Sequence, residues 1–146
     1  MIALLVSAAI ASPTPLLPSP WESQPGKVAG QYADYVRHEQ DGTDSELAAM
    51  HQACNTCSPG AMAQLLYNGY AQISAITATH TIGHICGRDA DHVLAVGVTA
   101  WDPRRRNVEA YFFKDGATLY MLAYNFQSAE PMPDAEAALA LLCPPS

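Results

Sequence analysis

The chain has 146 residues, with 14 acidic against 7 basic side chains and a formal charge of −7. That length suits one domain with a single core. The acidic balance, with a pI near 4.9, excludes a reader of nucleic-acid backbones, and 49% hydrophobic against 14% charged residues excludes a disordered chain.

Residues 1–11 are apolar and end in Ala9-Ile10-Ala11. They match the apolar region and small-x-small cleavage site of a signal peptide, although no Lys or Arg precedes them, and they are too short to span a bilayer. The expectation is an exported chain, secreted or periplasmic, with no membrane partner after cleavage and no nucleic-acid partner. Residues 12–26 carry Pro13, Pro15, Pro18, Pro20 and Pro25 and read as an extended linker. A single globular domain is expected over 27–146.

Val28, Tyr32, Tyr35 and Val36 fall at helical spacing and predict a short helix, broken at Asp41-Gly42. Thr43 and Glu46 form a capping box, which predicts a second helix from Asp44 to about Ala53. A third follows over 57–70. Ser58 can accept from an orphan amide, Pro59 suits the first helical position, Met62, Leu65, Leu66 and Tyr70 share a face, and Gly69 marks the exit. Residues 71–87 alternate Ile with Thr and Ser, which fits a strand or an irregular loop.

From His92 the pattern turns to strands. Residues 92–99 form one, and a loop follows with the solvated run Arg104-Arg105-Arg106. Residues 108–114 form a second strand, Asp115-Gly116 a hairpin turn, and 117–125 a third. Asp134 caps a last helix over 135–142. Helices first and strands after give an α+β class, with N-terminal helices packed on an antiparallel β-meander.

Four cysteines, Cys54, Cys57, Cys86 and Cys143, suit two disulfides in any of three connectivities. On that reading the chain is a non-catalytic, disulfide-stapled binding domain. Cys57 precedes a helix, whose positive end favours thiolate, so a reactive thiol is the competing reading. A third is a small zinc-binding domain built from Cys54, Cys57, His80, His84 and Cys86. Their spacing fits no zinc pattern, and neither a metal nor a cofactor is assigned. A redox Cys-x-x-Cys is disfavoured because no predicted strand leads into it.

Cys57-Ser-Pro-Gly-Ala-Met-Ala63 resembles the Cys-Gly-Pro-Ala-Ala-Leu-Ala helix start of bacteriocin-processing peptidases. Asp91-His92-Val-Leu-Ala-Val-Gly97 resembles their His-x-Val-Val-x-x-Gly strand. Gln52-Ala-Cys-Asn-Thr-Cys57 is similar to the Gln…Cys-x-x-Cys run of papain. The short gap from Cys57 to His92 is closer to bacterial transglutaminase-like cysteine peptidases. The resemblance covers residues 50–125. It implies a papain-like core and a cysteine peptidase or amide-bond transferase acting on a peptide or protein. Cys57 would be the nucleophile, His92 the base, and Gln52 or the Cys57 amide the oxyanion donor. Gln52 lies one residue closer to the cysteine than the family's glutamine, with His51 in that place. The third triad member has no match.

Pairing 92–99 with 108–115 would set His92 opposite Asp115 and make Asp115 the first candidate to orient the imidazole, although that residue also serves the turn. Asn125 and then Asp102 follow. A catalytic Cys57 leaves Cys54 with Cys86 as the expected bridge. The alternative pairs Cys57 with Cys86 or Cys143.

Overall fold

Alternation of side chains across a sheet, rather than helical periodicity, organises most of this chain. The computed structural model describes residues 16–145, so the expected signal peptide and the first linker residues lie outside it. The elements run β1 Glu22–Ser23, β2 Gln31–His38, β3 Asp44–Ala53, α1 Pro59–Ala71, β4 Thr77–Ile85, β5 Arg88–Val96, α2 Val98–Trp101, β6 Asn107–Asp115, β7 Thr118–Phe126 and α3 Pro133–Leu139. A 3-10 turn over Ala140–Leu142 extends α3. The seven strands form one antiparallel sheet in the order β1-β2-β3-β7-β6-β5-β4.

This corrects the expected fold class. The two N-terminal helices are strands β2 and β3, so helices do not pack on a three-stranded meander; a seven-stranded sheet carries α1 on one face and α3 on the other. In β2, Ala33, Tyr35 and Arg37 are buried at every second position, the period of a strand. Polar Arg37 hides that period in the sequence. It is paid for by Asp134, 2.7 Å away, and by Trp21, whose ring lies 4.5 Å from the guanidinium. In β3 the helix formers Leu47, Ala48 and Ala49 are buried between β2 and β7, where pairing on both sides overrides propensity. Thr43 caps no helix: its amide and hydroxyl both donate to Asp41 in the β2–β3 turn. Within the proline-rich stretch, Leu17 and Trp21 are buried in the core.

Other expectations hold with shifted ends. Ser58 caps α1, accepting from the Ala61 amide at 3.3 Å, and Pro59 opens it. Ala63 is buried, and Met62, Leu66, Tyr67 and Tyr70 pack around it. Leu65, expected on the same face, is 66% exposed. The β6–β7 loop is Gly116-Ala117, one residue later than expected, and Gly116 takes φ 59° at its first position. A type II′ hairpin needs a glycine there. Residues 71–87 resolve into the end of α1 and strand β4, which turns into β5 through Cys86 and Gly87, both at positive φ. Asp134 lies inside α3 and pairs with Arg37, while Met132 takes the cap position.

The two faces hold separate cores. On one, Tyr35, Leu47, Phe113, Leu122, Tyr124 and Phe126 lie under α3 and the segment around Leu17 and Trp21. On the other, Val93, Ala95, Val108, Ala110, Phe112 and Ala123 meet α1.

Candidate functional site

The bridges are Cys54–Cys57 and Cys86–Cys143, with Cα separations of 5.7 and 5.5 Å, and no cysteine is free. The expected Cys54–Cys86 pairing is therefore replaced. Cys57, the expected nucleophile, carries no thiol in this structure. The cysteines are also unavailable to zinc. Among the described residues no group of three or more His, Cys, Asp or Glu is arranged to hold a metal ion, and no helix is long and apolar enough to cross a membrane.

The β5–β6 register sets His92 opposite Tyr111, not Asp115, and Leu94 opposite Glu109. The expectation assumed that 92–99 was all strand. Instead β5 ends at Val96 and the chain turns through Gly97 into α2. A Cβ on Gly97 would lie 2.6 Å from the Ala75 carbonyl oxygen, so only glycine fits this turn. Val93 and Ala95 face α1; the alternation of β5 therefore sends His92 to the opposite face from the helix that Cys57 precedes. Asp115 meets Arg88 at 3.6 Å. Asn125 donates to Glu46 at 3.2 Å, in a cluster where Gln24 and Lys27 also reach Glu46. Burial opposes the Glu46 charge, but the bond and charge of Lys27 together with the Asn125 bond hold the carboxyl below its usual value. Gln52 is exposed at the end of β3, and Asp102 binds Arg104 within its own loop. Cys57, His92, Asp115, Asn125 and Gln52 are thus not gathered at one point.

His92 has a different set of partners. Its Nε2 lies 3.1 Å from Glu109 Oε2, and its ring stacks on Tyr111 with centroids 4.5 Å apart. The Glu109 side chain is 3% exposed, with no ionised donor on its Oε1. Its neighbour on α3 is Glu136. A hydrogen bond to Glu109, then burial, then the Glu109 charge push the Glu136 carboxyl up to about 7. Burial also pushes the Tyr111 hydroxyl up to about 12. This cluster ties α3 to the sheet and is closed to solvent at Glu109. Glu109 and Glu136 were missed in the sequence; a glutamate inside a β-rich run was the only sign.

A more open arrangement lies at the head of α1. A hollow of about 300 Å³ is lined by Pro59, Ile82, Asp89, Asp91, Phe112 and Lys114, among others. Asp91 Oδ1 lies 2.9 Å from His80 Nε2, and His80 Nδ1 lies 2.8 Å from Gln64 on α1. Lys114 Nζ donates to the Asn55 carbonyl at 3.1 Å and so holds the loop between the two cysteines. Beside the hollow runs β4, the outer strand of the sheet. Its nine residues, Thr-Ala-Thr-His-Thr-Ile-Gly-His-Ile, contain no proline and no Lys, Arg, Asp or Glu. Ile82 on it is 66% exposed. The opposite edge, β1, has two residues.

The architecture is that of a disulfide-stapled, antiparallel β-sheet domain. No protein-family model matches the chain, and no curated protein is similar enough to count as a relative.

Proposed function

We propose that this chain is a non-catalytic, disulfide-stapled binding domain of an exported protein, and that it takes an extended basic peptide segment as an added strand along β4. The observation that carries this reading is the open edge of β4. A long outer strand offers a row of unpaired amides and carbonyls, and proteins that avoid edge pairing blunt such strands with charge, proline or shortness. β4 has none of these, whereas β1 is short. Main-chain pairing at an open edge gives affinity, and flanking pockets give specificity. Asp89 and Asp91 in the adjoining hollow, on a chain of net charge −7, favour a basic side chain on the bound strand. Two disulfides fit an oxidising compartment.

The test uses a soluble strand peptide, Lys-Thr-Val-Thr-Val-Thr-Val-Thr-Lys, capped at both ends. Binding should slow amide hydrogen exchange across residues 77–85 and leave β1 unchanged. The same peptide N-methylated at alternate residues on its pairing edge should not protect them. Equal protection by both peptides, or by neither, would remove β4 as the binding edge.

A further inference from the structure

We propose that Cys54–Cys57 is an exchangeable disulfide that accepts two electrons from a dithiol on a partner protein or peptide. The sequence argued against a redox pair because no strand was expected ahead of it. The structure removes that objection: β3 runs to Ala53, the two cysteines follow, and α1 begins at Pro59. The unit is strand, Cys-x-x-Cys, helix. Both cysteines are partly exposed. The loop is held from both sides without being buried, since the Cys54 amide donates to the Ala117 carbonyl at 2.6 Å and Lys114 holds Asn55.

The surroundings favour a sulfur that leaves as thiolate. The Cys57 amide donates to Cys54 Sγ at 3.0 Å, the Lys114 ammonium is bound within the loop, and the head of α1 adds the positive end of its dipole. Cations and helix N-termini lower thiol pKa values, and a thiol of lower pKa leaves faster. Exchange follows from this geometry. A peptide thiolate attacks Cys57 Sγ, a mixed disulfide forms, and the Sγ–Sγ bond breaks with its electron pair on Cys54 Sγ, facing the Cys57 amide. The peptide's second thiol gives up its proton and attacks its own sulfur in the mixed disulfide. Cys57 leaves as thiolate and the peptide departs as a disulfide. Two electrons have passed to Cys54 and Cys57, and the two protons given up by the peptide thiols pass through solvent to the leaving thiolates. Opening the bridge frees only the loop between β3 and α1, so the fold survives it. The hollow lined by Pro59, Ile82, Asp89 and Asp91 offers the peptide a seat of mixed polarity. The proposal stands whether or not β4 takes a strand.

The test equilibrates the full chain with glutathione buffers of rising reducing power, blocks thiols with iodoacetamide and maps them by peptide mass spectrometry. Cys54 and Cys57 should become alkylated at a [GSH]²/[GSSG] value at least about tenfold below that which opens Cys86–Cys143, with far-UV circular dichroism unchanged. A synthetic peptide dithiol should be oxidised one for one by the chain, more slowly with Lys114→Gln and not at all with Cys57→Ser. The glutathione titration needs no variant, so a variant that fails to fold leaves it decisive. Opening of both bridges together with loss of structure, or a peptide dithiol left reduced, would overturn the proposal.

Discussion

The two faces of the sheet are packed by different means. The α3 face is filled by large rings: Tyr124 and Phe126 stack with centroids 4.7 Å apart, and Phe113 stacks on Tyr120 at 5.2 Å. It is closed by both flanks of the described chain, the stretch around Leu17 and Trp21 and the turn at Leu142, and the Cys86–Cys143 bridge fastens the latter. The α1 face uses small residues. At its centre Ala63, Ala95 and Ala110 are all fully buried, and their small side chains let a single helix lie close to the strands. One face gains its stability from volume and a long covalent loop, the other from close approach and a capped helix. The lesson is that one sheet can be closed by a covalent staple on one side and by helix packing alone on the other.

The largest effect should come from emptying the aromatic face. Phe126→Ala is expected to lower unfolding free energy by about 3–5 kcal/mol in urea titration, and a loss under about 1 kcal/mol would mean that this face is not the principal core. Replacing Cys86 and Cys143 together by Ala should cost about 4 kcal/mol by loop entropy, against about 2 kcal/mol for Cys54 and Cys57 together. Equal losses would erase the distinction between a staple and a local loop. On the α1 face the sensitive change is enlargement: Ala110→Leu should cost about 1–3 kcal/mol by pushing the helix away, and a neutral result would show that α1 floats.

The smallest effect concerns the proton that holds α3. A carboxyl whose folded pKa is raised from 4.5 to about 7 keeps its proton in the folded state across that window, so its contribution is full below about 4.5 and is lost as pH rises to about 7. Because Glu136 is partly exposed, solvent screening limits this to about 1 kcal/mol. Glu136→Gln should flatten that slope in unfolding measured from pH 4.5 to 7. An unchanged slope would assign it to other groups.

The sequence announced some elements and disguised others for physical reasons. Ser58-Pro59 is a purely local signal, and the helix it starts is present. The Gly116 turn is also local and is found within one residue of its expected place. β2 and β3 were disguised because their faces are decided by distant partners. Arg37 sits inward where Glu39, Asp134 and Trp21 receive it, and Ala48 and Ala49 become strand residues only when β7 arrives. The site was disguised likewise. The sequence makes His92 a base oriented by Asp115, whereas in the structure it meets Glu109 and Tyr111, through a register that the α2 turn shifts. The open edge of β4 could not be read at all, because an edge is defined by what the rest of the sheet leaves unpaired.

The strand order carries a consequence for how the molecule is made. β1-β2-β3 and β4-β5-β6-β7 are each runs of sequential neighbours, with α2 and its loop as the longest connection in the second run, and the two runs pair as strands only at β3 and β7, where the Asn125–Glu46 hydrogen bond spans 79 positions. Local runs of this kind form quickly, whereas a seam between distant segments must wait for loop closure. The first run leaves the ribosome with one side of β3 open, and nothing native can cover it until Phe126 has been made. Until then the chain's own middle strands, or another copy of it, compete for that side, so the slow and vulnerable step of folding is the closing of this seam.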